Sequence, residues 1–203
     1  QALFGGRGSM DVSMPGYTAL ILGAVGFMTV AINTSSYREA RILRRFRVTP
    51  LRPLTYILAD VTANLVMTLL GMIGVLLVGW LLYRVRFSGN AGLYLGGVLL
   101  CALAMFSAGY LIASLAPSAR AAQVISMVVF YPMMFLSGAG MPLEILPQTI
   151  RRISTFLPLT YVVRLLRALW FGDALRDYWV SAVVLVVILG LCTVVATRLF
   201  RWE

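Results

Sequence analysis

Five long stretches without a charged residue constrain this chain more than any other feature. An α-helix needs about 20 apolar residues to cross the hydrocarbon core of a bilayer, and each stretch is long enough for one crossing. None shows the apolar–polar alternation that the wall of a membrane β-barrel requires. The sequence therefore predicts an all-α membrane protein. We expect a single transmembrane domain, 1–203, that is a polytopic bundle of five transmembrane helices at about 14–34, 54–83, 92–115, 121–141 and 178–198.

The composition excludes several classes of function. Hydrophobic residues make up 61% of the 203 residues and charged residues 12%, whereas about a quarter of a soluble domain is charged. The chain has no lysine and no histidine, which removes the P-loop lysine, the commonest general base and the commonest metal ligand. Cys101 and Cys192 lie in apolar runs, which suits packed thiols. We therefore predict a non-catalytic protein with no cofactor and no metal on this chain.

The arginines predict an orientation. Six lie between residues 35 and 53, and short arginine-rich loops stay in the cytoplasm. Alternation of the spans then puts 84–91 and 142–177 outside, and 116–121 and the C-terminus inside. The net charge of +10 comes from arginines that flank the spans rather than form one open basic face, so we expect no nucleic-acid binding.

The basic loop after the first span has a helical pattern of its own. Ser36 and Glu39 have the spacing of a capping box and Pro50 ends the segment, so we predict an amphipathic cytoplasmic helix over 36–49. In the simpler interpretation its arginines fix the topology and contact anionic membrane lipids. In the other, its apolar face enters a groove on a cytoplasmic partner. The residues of that candidate partner contact are Tyr37, Arg38, Glu39, Arg41, Ile42, Leu43, Arg45 and Phe46.

The segment 142–177 is neither a plain loop nor a span. Pro147 and Pro158 are placed to start two short helices, 148–156 and 159–171, and Gly172 is placed to end the second. We expect a broken, re-entrant external hairpin that either only packs against the bundle or acts as an outer gate over a translocation path.

Polar residues within the spans are few, and two of them are pathway candidates. Asp60 lies near the cytoplasmic end of the second span, where it either pairs with an arginine of the preceding loop or serves a pathway. Asn64 follows one turn later on the same face. Glycines at 71 and 74 and at 92 and 96 permit close helix approach. The full set of candidate pathway or gate residues is Asp60, Asn64, Pro142, Glu144, Pro158 and Tyr161.

Short motifs in the second half of the chain resemble those of a known family. They are FLSG at 135–138, MPLE at 141–144 with LP at 146–147, and FLPLTY at 156–161 with LRA at 166–168. Upstream, RVTPL at 47–51 matches the place of a cytoplasmic coupling helix. In this order the motifs resemble type-2 ABC transporter permeases, most closely the drug- and lipid-exporting branch related to daunorubicin-resistance permeases.

The resemblance implies a six-helix permease of which this chain, which opens at Gln1, lacks the first span, so we expect an upstream truncation. It implies the membrane subunit of an ATP-driven ABC exporter for a drug, lipid or glycan in the bacterial cytoplasmic (plasma) membrane. ATP and Mg would bind on a separate cytoplasmic ABC ATPase subunit, which contacts the 36–49 helix. A second permease copy, identical or related, and membrane lipids are the other implied partners.

Two alternatives stay open beside the exporter. One is an ion-coupled secondary transporter, although no broken helix recurs in the two halves. The other is a membrane-embedded lipid-modifying enzyme, although the seven carboxylates are scattered along the chain and histidine is absent.

Overall fold

The computed structural model describes residues 9–40, 53–85, 87–140, 148–173 and 175–199, and the regular structure of these residues is helical throughout. Five helical segments within them are long and apolar enough to cross a membrane. The predicted all-α bundle with five spans is thereby confirmed. The helices are α1 (Ser9–Ala24), a π-helical stretch (Val25–Val30), α2 (Ala31–Glu39), α3 (Pro53–Tyr83), α4 (Ala91–Leu115), α5 (Ala119–Leu136), α6 (Gln148–Ser154), α7 (Pro158–Phe171) and α8 (Leu175–Leu199).

The first span is one continuous helix made of α1, the π-helical stretch and α2. Ala24 and Ala31, which flank the π-helical stretch, both keep right-handed helical backbone angles. A π-helical turn inserts an extra residue into the helix and is common at functional sites. Here it lies against α4, where a Cβ added to Gly109 would come within 2.0 Å of the carbonyl oxygen of Gly26. The two backbones are in direct contact at this crossing.

The predicted start of the cytoplasmic helix at Ser36 is wrong. Ser36 lies inside α2, and its carbonyl accepts a hydrogen bond from the amide of Ala40 at 2.8 Å. The Ser-x-x-Glu spacing of a capping box also occurs within a helix, and the Glu39 side chain here turns to another element. The first span therefore runs to Glu39, and the part of the predicted helix after residue 40 lies outside the described residues.

The core of the bundle is built around α4. This helix contacts the π-helical stretch, α2, α5, α7 and α8. On this helix the side chains of Cys101, Met105 and Phe106 are almost completely buried. In contrast, α3 and α8 turn side chains such as Leu81 and Leu191 outwards. The packing between the described helices is therefore concentrated on α4.

The two short helices predicted after α5 are present as α6 and α7. Pro158 stands at the first turn of α7, and Gly172 ends it in the left-handed conformation with φ of 74°, as the sequence predicts. Leu159, Val162 and Leu166 are fully buried against α1, α4 and α8. The helix α7 is thus part of the packed bundle rather than a strip lying on its surface.

Candidate coupling and gating sites

The end of the first span is fastened to the turn between α4 and α5. Arg38 donates from Nη1 to the carbonyl oxygen of Ala113 at 3.1 Å and from Nη2 to that of Ala116. The residue four positions after Ala113 is Pro117, which has no amide hydrogen, so this carbonyl has no helical partner. A cation at the C-terminal end of a helix is also favoured by the helix dipole. Arg38 therefore caps α4 from another span.

Glu39 makes the complementary contact at the start of α5. Its Oε2 accepts a hydrogen bond from the amide of Ala119 at 3.0 Å. The neighbouring Ser118 is the N-cap, and its hydroxyl oxygen accepts from the amide of Ala121 at 3.2 Å. The first amides of a helix have no helical acceptor, and a carboxylate near them is favoured by the dipole. Arg38 and Glu39 together grip residues 113–119, and we call this arrangement the inner clamp.

The inner clamp accounts for two of the eight candidate partner-contact residues. Tyr37, Arg38 and Glu39 form the last turn of α2, where Arg38 and Glu39 bind the chain itself. The clamp also brings residues 38–39 and 113–119 to the same end of the bundle, as the alternation of spans requires. Contact with an ATPase stays a prediction. The remaining candidates lie outside the described residues: Arg41, Ile42, Leu43, Arg45 and Phe46.

Asp60 is bonded to another helix near the same end. The hydroxyl of Tyr110, on α4, donates to Oδ2 of Asp60, on α3, at 2.5 Å. We expected an arginine of the preceding loop as its structural partner. Among the described residues, the side chain bonded to Asp60 is a neutral phenol. This pairing suits a partly buried carboxylate, because hydrogen bonds to charged groups are among the stronger ones. This bond links α3, which has few contacts, to the central helix.

Asn64 and Thr68 continue the polar stripe that Asp60 begins on α3. The Asn64 amide donates to the carbonyl of Asp60 at 2.9 Å, and the Thr68 hydroxyl donates to that of Asn64 at 2.7 Å. Both side chains are buried. The stripe therefore faces the bundle, but these donors are used within their own helix. A role of Asn64 in a pathway stays a prediction.

Tyr161 holds together the turn between the two short helices. Its hydroxyl donates to the carbonyl of Thr155 at 2.7 Å, across the turn in which Pro158 starts α7. The guanidinium carbon of Arg164 lies 5.9 Å from the centre of the Tyr161 ring, in cation–π range. Pro142 and Glu144, the other candidate gate residues of this segment, lie outside the described residues.

The far end of the bundle, opposite the inner clamp, is closed by α7 and the turn before α4. A Cβ on Gly89 would meet the carbonyl oxygen of Leu169 at 1.9 Å, so only glycine permits this approach. Phe87 and Tyr94 pack edge-on against Trp170 at centroid distances of 5.0 and 5.5 Å. The segment predicted to be a hairpin is thus tied to the 84–91 turn.

Several residues of these sites escaped the sequence analysis. Tyr110 carries no pattern that would single it out, since it is a tyrosine in an apolar run. Gly26 and Gly109 bring the first span and α4 into backbone contact, whereas a Cβ on Gly74 or Gly96 would meet nothing within 4 Å. A Cβ on Gly71 would lie 3.7 Å from the Ile21 side chain, which is an ordinary contact, so neither predicted pair forms a close backbone approach. Among the described residues, no group of three or more His, Cys, Asp or Glu side chains is arranged to hold a metal ion.

Comparison with known proteins gives a consistent result. The inner membrane transport permease YhhJ of Escherichia coli (strain K12) is 25% identical over 199 residues, which cover 95% of this chain and 53% of that protein. The probable multidrug ABC transporter permease YbhR of the same strain is 25% identical over 190 residues, 93% of this chain and 51% of that protein. Nodulation protein J of Rhizobium leguminosarum bv. viciae is 33% identical over 99 residues, 49% of this chain and 38% of that protein.

The chain thus spans about half the length, or less, of the curated relatives that it matches. With five apolar spans in the part of the chain that the structure describes and with these bacterial relatives, it is a multi-pass protein of the cytoplasmic membrane. The model of the ABC-2 type transporter family matches residues 1–171, and the chain belongs to that family.

Proposed function

We propose that this chain is part of the membrane subunit of an ATP-driven ABC exporter. A separate cytoplasmic ABC ATPase supplies the energy and carries the ATP and Mg. A second permease copy, identical or related, completes the translocation path. Family membership supports this proposal, as does the lack of lysine, without which a chain cannot build a P-loop of its own.

The observation that carries the proposal is the inner clamp. Arg38 and Glu39 stand immediately before the basic loop that we predict to receive the ATPase, and they are bonded to the end of α4 and the start of α5. A displacement of that loop is thereby passed to three spans rather than to one. The inner clamp suits a protein that must convert movement of a cytoplasmic partner into movement of its own helices.

Coupling then works as a shift between two arrangements of the permease pair. A closed ATPase dimer shifts this equilibrium by as much as its affinity for the two arrangements differs. Moving an equilibrium from one dominant state to the other takes about 5.5 kcal/mol of differential binding. The apolar residues Ile42, Leu43 and Phe46 provide the groove contact through which that difference acts.

The cargo that we propose is amphipathic or lipid-like. Polar side chains within the spans are few, and those of Asn64 and Thr68 are bonded within α3. A bare ion would need a ring of charges or carbonyl groups in place of its water. Outward transport is supported by the name of YbhR, a probable multidrug permease.

The test is ATP-driven transport by the full protein together with the ABC ATPase that co-purifies with it. In proteoliposomes we expect ATP hydrolysis to accelerate when a fluorescent amphipathic substrate is added. Replacing Ile42, Leu43 and Phe46 by serine is expected to release the ATPase and abolish this acceleration while the protein still inserts. The matched control, Ile42→Leu with Leu43→Met and Phe46→Leu, keeps the apolar face and the coupling.

Two results would overturn the proposal. One is transport that a proton or sodium gradient drives in the absence of the ATPase, which indicates a secondary transporter. The other is chemical conversion of a lipid by the purified chain alone, which indicates an enzyme.

A further inference from the structure

A cavity of about 390 Å³ opens between the first span, α3 and α4 at the far end of the bundle. It is an open cleft and not an enclosed void, and its volume is within the range of small-molecule pockets. Water is poorly stabilised in it, because an apolar cavity offers few hydrogen-bond partners. Its lining is apolar and aromatic, and includes Met14, Met72, Leu76, Trp80, Tyr94 and Trp170.

The inner wall of the cavity is made of closely packed aromatic rings. Tyr94 and Trp170 are almost fully buried and pack edge-on with Phe87 at centroid distances of 5.0 to 5.6 Å. The hydroxyl of Tyr94 donates to Oγ1 of Thr18 at 3.3 Å and so has a partner inside the protein. The cavity therefore presents ring surfaces rather than polar groups to an occupant.

The cavity opens on the side of the bundle, between exposed apolar side chains. Trp80 and Leu95 line it and are 64% and 45% exposed, on the outer surfaces of α3 and α4. Tyr83 and Phe87 are exposed nearby at the ends of these elements. Aromatic side chains at span ends sit where the hydrocarbon core meets the headgroups. The mouth of the cavity thus lies at the depth where lipid acyl chains begin.

A cation without a partner among the described residues comes one position before Val85, which lines the cavity. Arg84 is exposed, and its guanidinium makes no hydrogen bond or ion pair with any residue that the structure describes. Its φ of 49° is left-handed, which costs about 1 kcal/mol or more in a residue other than glycine. This angle ends α3 and turns the next residue, Val85, back to line the cavity. The charge and the apolar pocket are therefore one residue apart in the chain.

We propose that this cavity binds one acyl chain of a membrane phospholipid, whose phosphate is held by Arg84. Taking about 30 Å³ as the volume of a water-sized group, the space accommodates about a dozen such groups, which is the scale of most of an acyl chain. The cavity opens on the outer surface of α3 and α4 and is lined by side chains of this chain alone. The proposal therefore does not depend on transport.

Trp170 provides the test, because it lines the cavity yet is only 4% exposed. In the full protein, Trp80, Trp179 and Trp202 are replaced by phenylalanine, together with any tryptophan outside this sequence, so that Trp170 alone emits. The protein is reconstituted in phosphatidylglycerol whose acyl chains carry bromine, a quencher that acts near contact. We expect about a twofold loss of Trp170 emission relative to unbrominated lipid, since an acyl chain in the cavity touches the ring. Trp170 emission unaffected by the bromine would overturn the proposal.

A pair of matched variants separates the cavity from general lipid contact. Ala91→Phe fills the cavity, whereas Ala63→Phe makes the same change on an exposed face of α3. Quenching is expected to disappear with Ala91→Phe and persist with Ala63→Phe; equal quenching in both would overturn the proposal.

Arg84→Asn removes the charge but tolerates the left-handed angle. We expect it to raise the brominated-lipid fraction needed for half-maximal quenching about fivefold, and Arg84→Lys to leave it near the original value. An unchanged fraction in Arg84→Asn would overturn the assignment of the phosphate.

Discussion

Arg38 supplies the hydrogen bond that Pro117 cannot. The carbonyl of Ala113 would find its helical donor at residue 117, and the guanidinium of Arg38 lies there instead, with Nη1 at 3.1 Å from the oxygen. The proline that ends α4 thus creates the acceptor by which the first span is attached. The same proline therefore ends α4 and provides the site at which the first span is attached to it.

Removing Arg38 is expected to destabilise the bundle. Arg38→Ala leaves the carbonyls of Ala113 and Ala116 without this donor, and a hydrogen bond to a charged group contributes about 1.5–3 kcal/mol. The free energy of unfolding in mixed micelles should fall by about that amount. Arg120→Ala is the matched control, because Arg120 is exposed one turn away. Equal losses in the two variants would contradict the capping role.

The sequence analysis succeeded where a property of the segment itself decides its structure. The length of an uncharged run decides whether a helix can span a bilayer, so the five spans follow from the sequence. Pro158 and Gly172 act on their own backbone, so the limits of α7 were predictable as well. Predicting these features requires no knowledge of the neighbouring elements.

It failed where a second element decides the outcome. The Ser36–Glu39 spacing is a valid cap in isolation, but α2 runs through it, and the Arg38 and Glu39 side chains bond to α4 and α5 instead. The partner of Asp60 is fifty positions away on α4, at Tyr110. Nothing in the local sequence of either residue encodes this pairing, which depends on how the helices pack.

The bond between Asp60 and Tyr110 is expected to stabilise the attachment of α3. Tyr110→Phe removes the donor hydroxyl and leaves the ring, and we expect a loss of about 1.5 kcal/mol in the free energy of unfolding. In a double-mutant cycle with Asp60→Asn, the two losses should fail to add, because the residues share this bond. Tyr131→Phe, at an exposed tyrosine of α5, serves as the control. Additive losses would show that the two residues act independently.

Accessibility labelling tests the orientation. In a protein whose Cys101 and Cys192 are replaced by alanine, a cysteine at Arg45 or Arg120 should react with an impermeant maleimide only from the cytoplasmic side. A cysteine at Gln148 or Arg84 should react only from outside, because the inner clamp and the 84–91 turn lie at opposite ends of the bundle. The reverse pattern would overturn the predicted topology but not the fold.

The crossing of Gly26 and Gly109 predicts a contrast between two glycines of one helix. A Cβ on residue 109 would lie 2.0 Å from the carbonyl oxygen of Gly26, and backbone on both sides cannot move aside locally. Gly109→Ala should therefore separate the first span from α4 and cost about 3 kcal/mol or more, at the upper end of overpacking effects. Gly96→Ala places its methyl group in open space. It should be neutral or should stabilise the helix by up to about 1 kcal/mol.

Unfolding of both variants in mixed micelles, followed by circular dichroism, measures the contrast. Because helix propensity favours alanine at both positions, a loss at 109 reports the helix contact and not the helix itself. Gly26→Ala should behave like Gly109→Ala, since its Cβ would meet the backbone of Met105 at 2.7 Å. If alanine at 109 were as harmless as at 96, the first span and α4 would have to be further apart than a backbone contact allows. The π-helical stretch would then lose its most extensive contact, which is with α4.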